Sequence, residues 1–328
     1  MIAARLHAFG KAVDVLRVEE LPTPNPGPGE ILVEMLAAPV NPADLNVIEG
    51  KYGELPEPPA IIGNEGAGRV AAVGPGVTDF SLGDLVLPLS RANWTSHLVV
   101  RAERAVKLPA DLDPFQAAML AVNPPSAWGM LEDCVVLNPG DWIVQNAANS
   151  AVGRCVIQIA KARGLRTLNV VRREELVPEL TSLGADAVVL ESADLREVAS
   201  QACGDRLPRL ALNAVGGASA LNLANALAEE GTVVTYGAMG RQPLKIPNGL
   251  LIFRGLRFEG FWLRRLQQNL PRLCRMIGEL AELSRSGLLH MPVHRVFGLS
   301  DIHAALAEAA QEKRPGKVLI DLSGSGGL

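Results

Sequence analysis

From Asp141 onward, apolar positions fall in a short run in DWIV, then on one face of a helix at Val152, Val156, Ile157 and Ile159, then in a second short run, TLNVV. That order predicts strand, turn, helix and strand. The same alternation continues through AVVL, LALNAV and TVVTYGAM, so from about Pro124 the pattern predicts a parallel, doubly wound sheet. Residues 1–121 are patterned otherwise. Short β-type runs such as ILVEMLAA and GRVAAV alternate with LPTPNPGPGE, LPEPPAIIGNEGAG and VGPGVTDFSLGD. Such spacing by Pro and Gly predicts an irregular β-rich domain. Helical patterns near 269–286 and 302–311 precede a closing apolar run, KVLIDL, which is expected to return to the first domain. The expected organisation is α/β with two domains: 1–121 together with 267–328, and 122–266.

The turn between the first two runs of the second domain sits where a dinucleotide fold carries G-x-G-x-x-G. Here those positions are Ala148, Ser150 and Gly153, so a single glycine remains. Alanine and serine are nearly as small, and Asn149 and Ser150 add side-chain donors to the free N–H groups of a helix N-terminus. The competing reading is an ordinary strand–turn–helix connection. The next strand end sharpens the choice. An NAD-selective site places an acidic residue there, whereas this chain offers Arg172 and Arg173, two guanidinium groups suited to a 2′-phosphate. NADPH is the cofactor these residues predict. Glu174 and Glu175 follow directly, and the alternative is that the arginines only cap a solvated strand end.

Composition narrows the partners. The chain has 328 residues, 48% of them hydrophobic, enough to bury two cores. A net charge of −4 argues against nucleic acid. Four scattered cysteines, without a C-x-x-C pair, indicate neither a disulfide framework nor a cysteine zinc site and suit a reducing compartment. No apolar N-terminal leader and no long apolar window occur, so the expectation is a soluble, cytoplasmic protein with no membrane partner.

NPADLN, from Asn41 to Asn46, and GNEGAG, from Gly63 to Gly68, carry the next step. With the order of domains, they resemble the medium-chain dehydrogenase/reductase superfamily, whose zinc-dependent members place a Gly-His-Glu where this chain has Gly63, Asn64 and Glu65. Asparagine is a poor zinc ligand, so no metal site is expected. Within the zinc-free members the chain resembles the trans-2-enoyl thioester reductases of mitochondrial type, through NPADLNVIEGKYG, VNPPSAW, QNAANSAVG, TLNVVRR, LALNAVGG, VTYGAMGRQP, LLIFRGL, FEGFWL and GKVLI. The resemblance implies a GroES-like catalytic domain and a Rossmann domain. It implies proton donation by Tyr52. It also implies NADPH contacts from Asn123, Asn149, Ser150, Ala151, Val152, Arg172, Arg173, Tyr236, Gly237, Ala238, Met239, Phe261, Trp262, Leu263 and Lys317. Arg173 and Glu174 stand where relatives often show Asp then Arg, and Ala151 and Ala238 where they often show glycine. The implied substrate is an enoyl thioester on coenzyme A or acyl carrier protein, the implied assembly a homodimer, and the lack of a transit peptide suggests a bacterial version. The alternatives are a zinc-free quinone or enone oxidoreductase and a non-catalytic NADPH-binding sensor.

Three further features bear on the site. Tyr52 and Tyr236 are the only tyrosines, and both fall inside these motifs. His290 and His294 have helical metal-pair spacing, but Pro292 between them argues against a helix. Arginines 254, 257, 264, 265, 272 and 275 face one acidic residue, Glu259, and predict either a patch for the anionic carrier or a solvated face.

Overall fold

In the computed structural model, which describes residues 1–192 and 194–324, the chain forms two compact units. One comprises Met1–Val122 and the chain from Leu270 onward, the other Asn123–Asn269.

The first unit is built from strands β1 (Ile2–Leu6), β2 (Leu16–Glu20), β3 (Glu30–Pro39), β4 (Ala60–Ile61), β5 (Ala67–Val73), β6 (Leu85–Pro88), β7 (His97–Arg101) and β8 (Ala105–Lys107). The second contributes β9 (Trp142–Gln145), β10 (Arg166–Val171), β11 (Ala187–Leu190), β12 (Leu210–Asn213), β13 (Thr232–Thr235) and β14 (Arg257–Gly260). The chain then returns to the first unit as β15 (Val293–Gly298) and β16 (Lys317–Asp321).

In the first unit β2, β1 and β4 form a small sheet, and a seven-stranded sheet runs β15-β16-β3-β5-β6-β8 with β7 paired to β3. The run KVLIDL is thus β16, antiparallel to β3 with Ile320 opposite Ala38, because a strand buried at four consecutive positions, Lys317 to Ile320, needs cover on both faces and finds it inside that core. The core gathers Leu6, Ile31, Met35, Trp94, Ile302 and Ile320, all buried. Helix Pro42–Ile48 follows β3, with Asn41 and Asp44 forming a capping box and Pro42 in its first turn. It ends in a Schellman motif. The Lys51 N–H donates to the Asn46 carbonyl and the Gly50 N–H to that of Val47, with Gly50 at φ 72° supplying the left-handed residue. This turn delivers Tyr52.

In the second unit every neighbouring pair of strands is parallel, in the order β11-β10-β9-β12-β13-β14. That is the doubly wound Rossmann order, with the switch point between β9 and β12. Continuous apolar strands such as Leu210–Leu212 and Val233–Val234 are buried on both faces, as a covered parallel sheet requires.

Candidate active site

The phosphate turn follows β9. Helix Ala151–Ala162 begins at Ser150, whose hydroxyl accepts from the Gly153 N–H at 3.1 Å, so Ser150 caps the helix instead of leaving all its first N–H groups open. Gly153 is the glycine the fold cannot give up. A Cβ there would lie 2.5 Å from the Ala148 carbonyl oxygen. The left-handed residue of the turn is Ala147, at φ 47°, so the sharp bend is made one residue before the first expected glycine. Asn149 and Val152 are half-buried at this helix end, with Ala151 between them.

Arg172 stands exposed just past the end of β10, and Arg173 pairs with Glu175 at 3.0 Å. Beyond β13, Tyr236 and Gly237 are half-buried, and Ala238 and Met239 are exposed in the loop. The Tyr236 hydroxyl oxygen is buried with no hydrogen-bond partner among the described residues. Burial pushes its phenol up; the Ser150 hydroxyl alongside offsets this only in part, short of a formed hydrogen bond. Asn123 is buried at the start of helix Asn123–Asp133. After β14, Phe261 is buried with its ring against Gly129, Leu263 is half-buried, and Trp262 is 39% exposed beneath the Arg264 guanidinium, 5.6 Å from its ring centre.

These residues suit a dinucleotide. A helix N-terminus whose first-turn Gly153 admits no Cβ against the preceding turn, an orphaned buried hydroxyl beside it, and cations at the neighbouring strand end match a pyrophosphate and a charged ribose. Asn123, Asn149 to Val152, Arg172, Arg173, Tyr236 to Met239 and the 261–263 segment all belong to this unit.

Tyr52 and Lys317 belong to the other unit. Tyr52 is half-buried, its ring against the first core. Lys317 is 7% exposed, and its ammonium donates to Asn41 Oδ1. Around it lies a buried charge cluster that sequence reasoning left unassembled. Asp44 accepts from the Asn41 N–H at 2.7 Å and from the Asn64 N–H and Nδ2 at 3.0 and 2.7 Å. Glu65 accepts from Asn41 Nδ2 at 2.8 Å and from the Ala121 and Val122 N–H groups at 3.0 and 2.8 Å. Burial pushes Asp44 up to about 6, against the hydrogen bonds of Asn41 and Asn64. Burial likewise pushes Glu65 up to about 7, against the charge of Lys317. Asn64, at the histidine position of the zinc-dependent motif, is thus a donor to a carboxylate. Among the described residues no group of three or more His, Cys, Asp or Glu is placed to hold a metal ion.

The other sequence candidates resolve individually. His294 lies in β15 and meets Glu308 at 2.8 Å, while His290 is exposed. Burial pushes the Cys134 and Cys203 thiols up to about 12, which makes them poor nucleophiles. The arginine run is divided between the two units, and one of its members is engaged at a helix end. Arg254 is turned onto the carbonyls of Ala224, Asn225 and Leu227, at the end of helix Gly217–Ala226, and Arg272 and Arg275 belong to the other unit. No helix of the described residues is long and apolar enough to cross a membrane.

Comparison with known proteins agrees with this geometry. Residues 27–148 match the alcohol dehydrogenase GroES-like domain and residues 151–279 the zinc-binding dehydrogenase domain. The chain is 44% identical over 286 residues to the mitochondrial enoyl-[acyl-carrier-protein] reductase of Homo sapiens, covering 84% of this chain and 77% of that protein. Among solved structures it is similar to a putative NADPH:quinone reductase from Bacillus thuringiensis, at 28% identity and a TM-score of 0.89 over 98% of each chain. It is similar also to Etr1p in its complex with NADP and crotonyl-CoA, at 31% identity and a TM-score of 0.87, over 98% of this chain and 99% of that one. The chain belongs to the medium-chain dehydrogenase/reductase superfamily, in its enoyl thioester reductase branch.

Proposed function

We propose that this protein reduces trans-2-enoyl thioesters, on coenzyme A or acyl carrier protein, with NADPH. The observation that carries the reading is the extended identity to an enoyl-[acyl-carrier-protein] reductase. The arginines that close β10 in place of an acidic residue support the choice of NADPH.

Bound NADPH supplies a hydride to the β carbon; the α carbon takes a proton, and NADP⁺ remains. The chain's own residues do the rest. The helix N-terminus at Ser150 to Val152 holds the pyrophosphate, and Arg172 and Arg173 bind the 2′-phosphate. Asn123 and the loops at 236–239 and 261–263 orient the cofactor. As negative charge builds on the thioester carbonyl, donors near Tyr52 would stabilise the enolate-like oxygen, the Tyr52 phenol would give its single proton to the α carbon, and water would restore the proton to the phenolate. Lys317, its ammonium held by Asn41, is the remaining NADPH contact in this reading.

The second reading, a quinone or enone reductase, is favoured by the structural likeness to the Bacillus thuringiensis protein. Initial rates with NADPH against crotonyl-CoA, longer enoyl-CoAs and a quinone separate the two. Thioester turnover is expected to dominate, and turnover of the quinone alone would replace the first reading with the second.

A homodimer is part of this proposal. Among the described residues β14 ends the sheet with no strand on its outer edge, and nearby Leu251, Ile252 and Phe253 are 44%, 70% and 83% exposed. Pairing two such edges about a two-fold axis covers both. Light scattering at micromolar concentration tests it, and a monomer would refute it. A cytosolic setting, supported by four free cysteines, completes the reading.

A further inference from the structure

The carboxyl ends of β9, β12 and β13 are joined by a relay of buried side-chain amides. Asn146, just past β9, donates from Nδ2 to Asn213 Oδ1 at 2.9 Å and to Ser219 Oγ at 3.0 Å. Asn213, the last residue of β12, donates from Nδ2 to Thr235 Oγ1, at the end of β13, at 3.1 Å. Both asparagines are buried, at 2% and 0% exposure. A buried primary amide is costly unless its groups are satisfied, and these two spend their oxygens on one turn. Asn146 Oδ1 accepts from the Ala214 N–H at 2.7 Å, and Asn213 Oδ1 accepts from the Val215 and Gly216 N–H groups at 3.2 and 3.0 Å.

That turn carries the next loop. The Ala214 carbonyl accepts from the Met239 N–H and the Val215 carbonyl from the Gly240 N–H, both at 2.9 Å. The approach leaves no slack, since a Cβ on Gly240 would lie 2.9 Å from the Val215 oxygen. The loop 236–240 is therefore held by backbone bonds to a turn that is itself held by two side-chain amides, one of which begins the phosphate turn. We propose that Asn213 and Asn146 are positioning residues for NADPH. They touch no cofactor atom in this assignment; they lock loop 236–240 to the phosphate turn, so that a dinucleotide meets both in one fixed arrangement. The inference rests on the NADPH reading above.

The test uses the full chain and NADPH itself, titrated by fluorescence, with hydrogen exchange followed in parallel. Asn213→Ala removes the three bonds that Asn213 Oδ1 accepts and is expected to raise the NADPH Kd about tenfold or more. Exchange at Met239 and Gly240 is expected to quicken while helix Ala151–Ala162 stays protected. Asn213→Asp keeps every accepted bond, and the Thr235 hydroxyl can turn to donate, so exchange at Met239 and Gly240 should stay near that of the parent; its added charge makes exchange, and not NADPH affinity, the readout for this variant. A purely structural role would lower the stability of Asn213→Ala without this split between the two loops. Gly240→Ala, at an exposed position, strains the same joint from the loop side and covers the case in which Asn213→Ala does not fold. A Kd within twofold of the parent for Gly240→Ala and any folded Asn213→Ala, or unchanged exchange at 239 and 240, overturns the inference. If the parent itself fails to bind NADPH, the cofactor reading falls, and the exchange measurement still decides whether the relay holds the loop.

Discussion

Gly153 sits so close to Ala148 that the carbonyl oxygen, carbon and Cα of Ala148 would lie 2.5, 2.8 and 2.8 Å from a Cβ on Gly153. All three are backbone atoms, so relief requires the turn to open. Gly153→Ala is expected to destabilise the protein by about 1–3 kcal/mol, in the range of overpacking, and to weaken NADPH binding. Ala147→Gly, at φ 47°, should act in the opposite sense. It relieves about 1–2 kcal/mol of left-handed strain, less the added freedom of glycine in the unfolded chain. Urea midpoints of the two variants should move in opposite directions; a shift of both the same way would contradict the geometry of the turn.

Arg172→Ala with Arg173→Ala should raise the KM for NADPH and leave that for NADH nearly unchanged. A charged hydrogen bond contributes about 1.5–3 kcal/mol, so two of them imply a loss of at least a hundredfold. Arg173 also breaks its pair with Glu175, but that pair is solvent-exposed on the glutamate side and contributes little. Equal loss with both cofactors would show that the arginines do not read the phosphate.

Tyr52→Phe keeps the ring against the first core and removes only the hydroxyl. As proton donor, Tyr52 predicts a fall in kcat of roughly 10² to 10⁴ with NADPH affinity unchanged. Retention of a third of the parent turnover would remove it from the mechanism.

Asp44 and Glu65 predict a pH dependence of stability. Both carboxyls are raised in the folded protein, to about 6 and about 7, above their ordinary range. The folded state therefore holds protons that the unfolded chain has released, and this contribution is complete below the ordinary carboxylate range and lost as pH rises through 6 and 7. Chemical denaturation at pH 5 and pH 8 should show the loss, and Glu65→Gln should flatten it. A Glu65→Gln variant with the same pH slope as the parent would assign the effect elsewhere.

Zinc content should be well below one per chain, with activity insensitive to chelator, because Asn64 Nδ2 donates to Asp44 instead of presenting a ligand. Stoichiometric zinc with chelator sensitivity would refute this.

Sequence alone determined the elements and their class. The alternation at 141–173, the Pro- and Gly-rich spacing before Pro124 and the closing KVLIDL reflect burial periods that are local properties of the chain, and the strands and helices follow from them. It also marked the candidate residues, because Arg172, Arg173, Tyr52 and the phosphate turn sit inside contiguous motifs. Only the tertiary structure decided what depends on long-range partners. Lys317 meets Asn41, 276 residues away, inside a cluster with Glu65 and Asp44. Arg254 closes a helix end rather than joining a basic surface. Asn146 and Asn213, unremarkable polar letters at the ends of WIVQN and LALN, become the joint between two loops. Hydrophobic period is written in neighbouring positions, but a buried polar group declares its role only when the fold brings up the one partner that satisfies it.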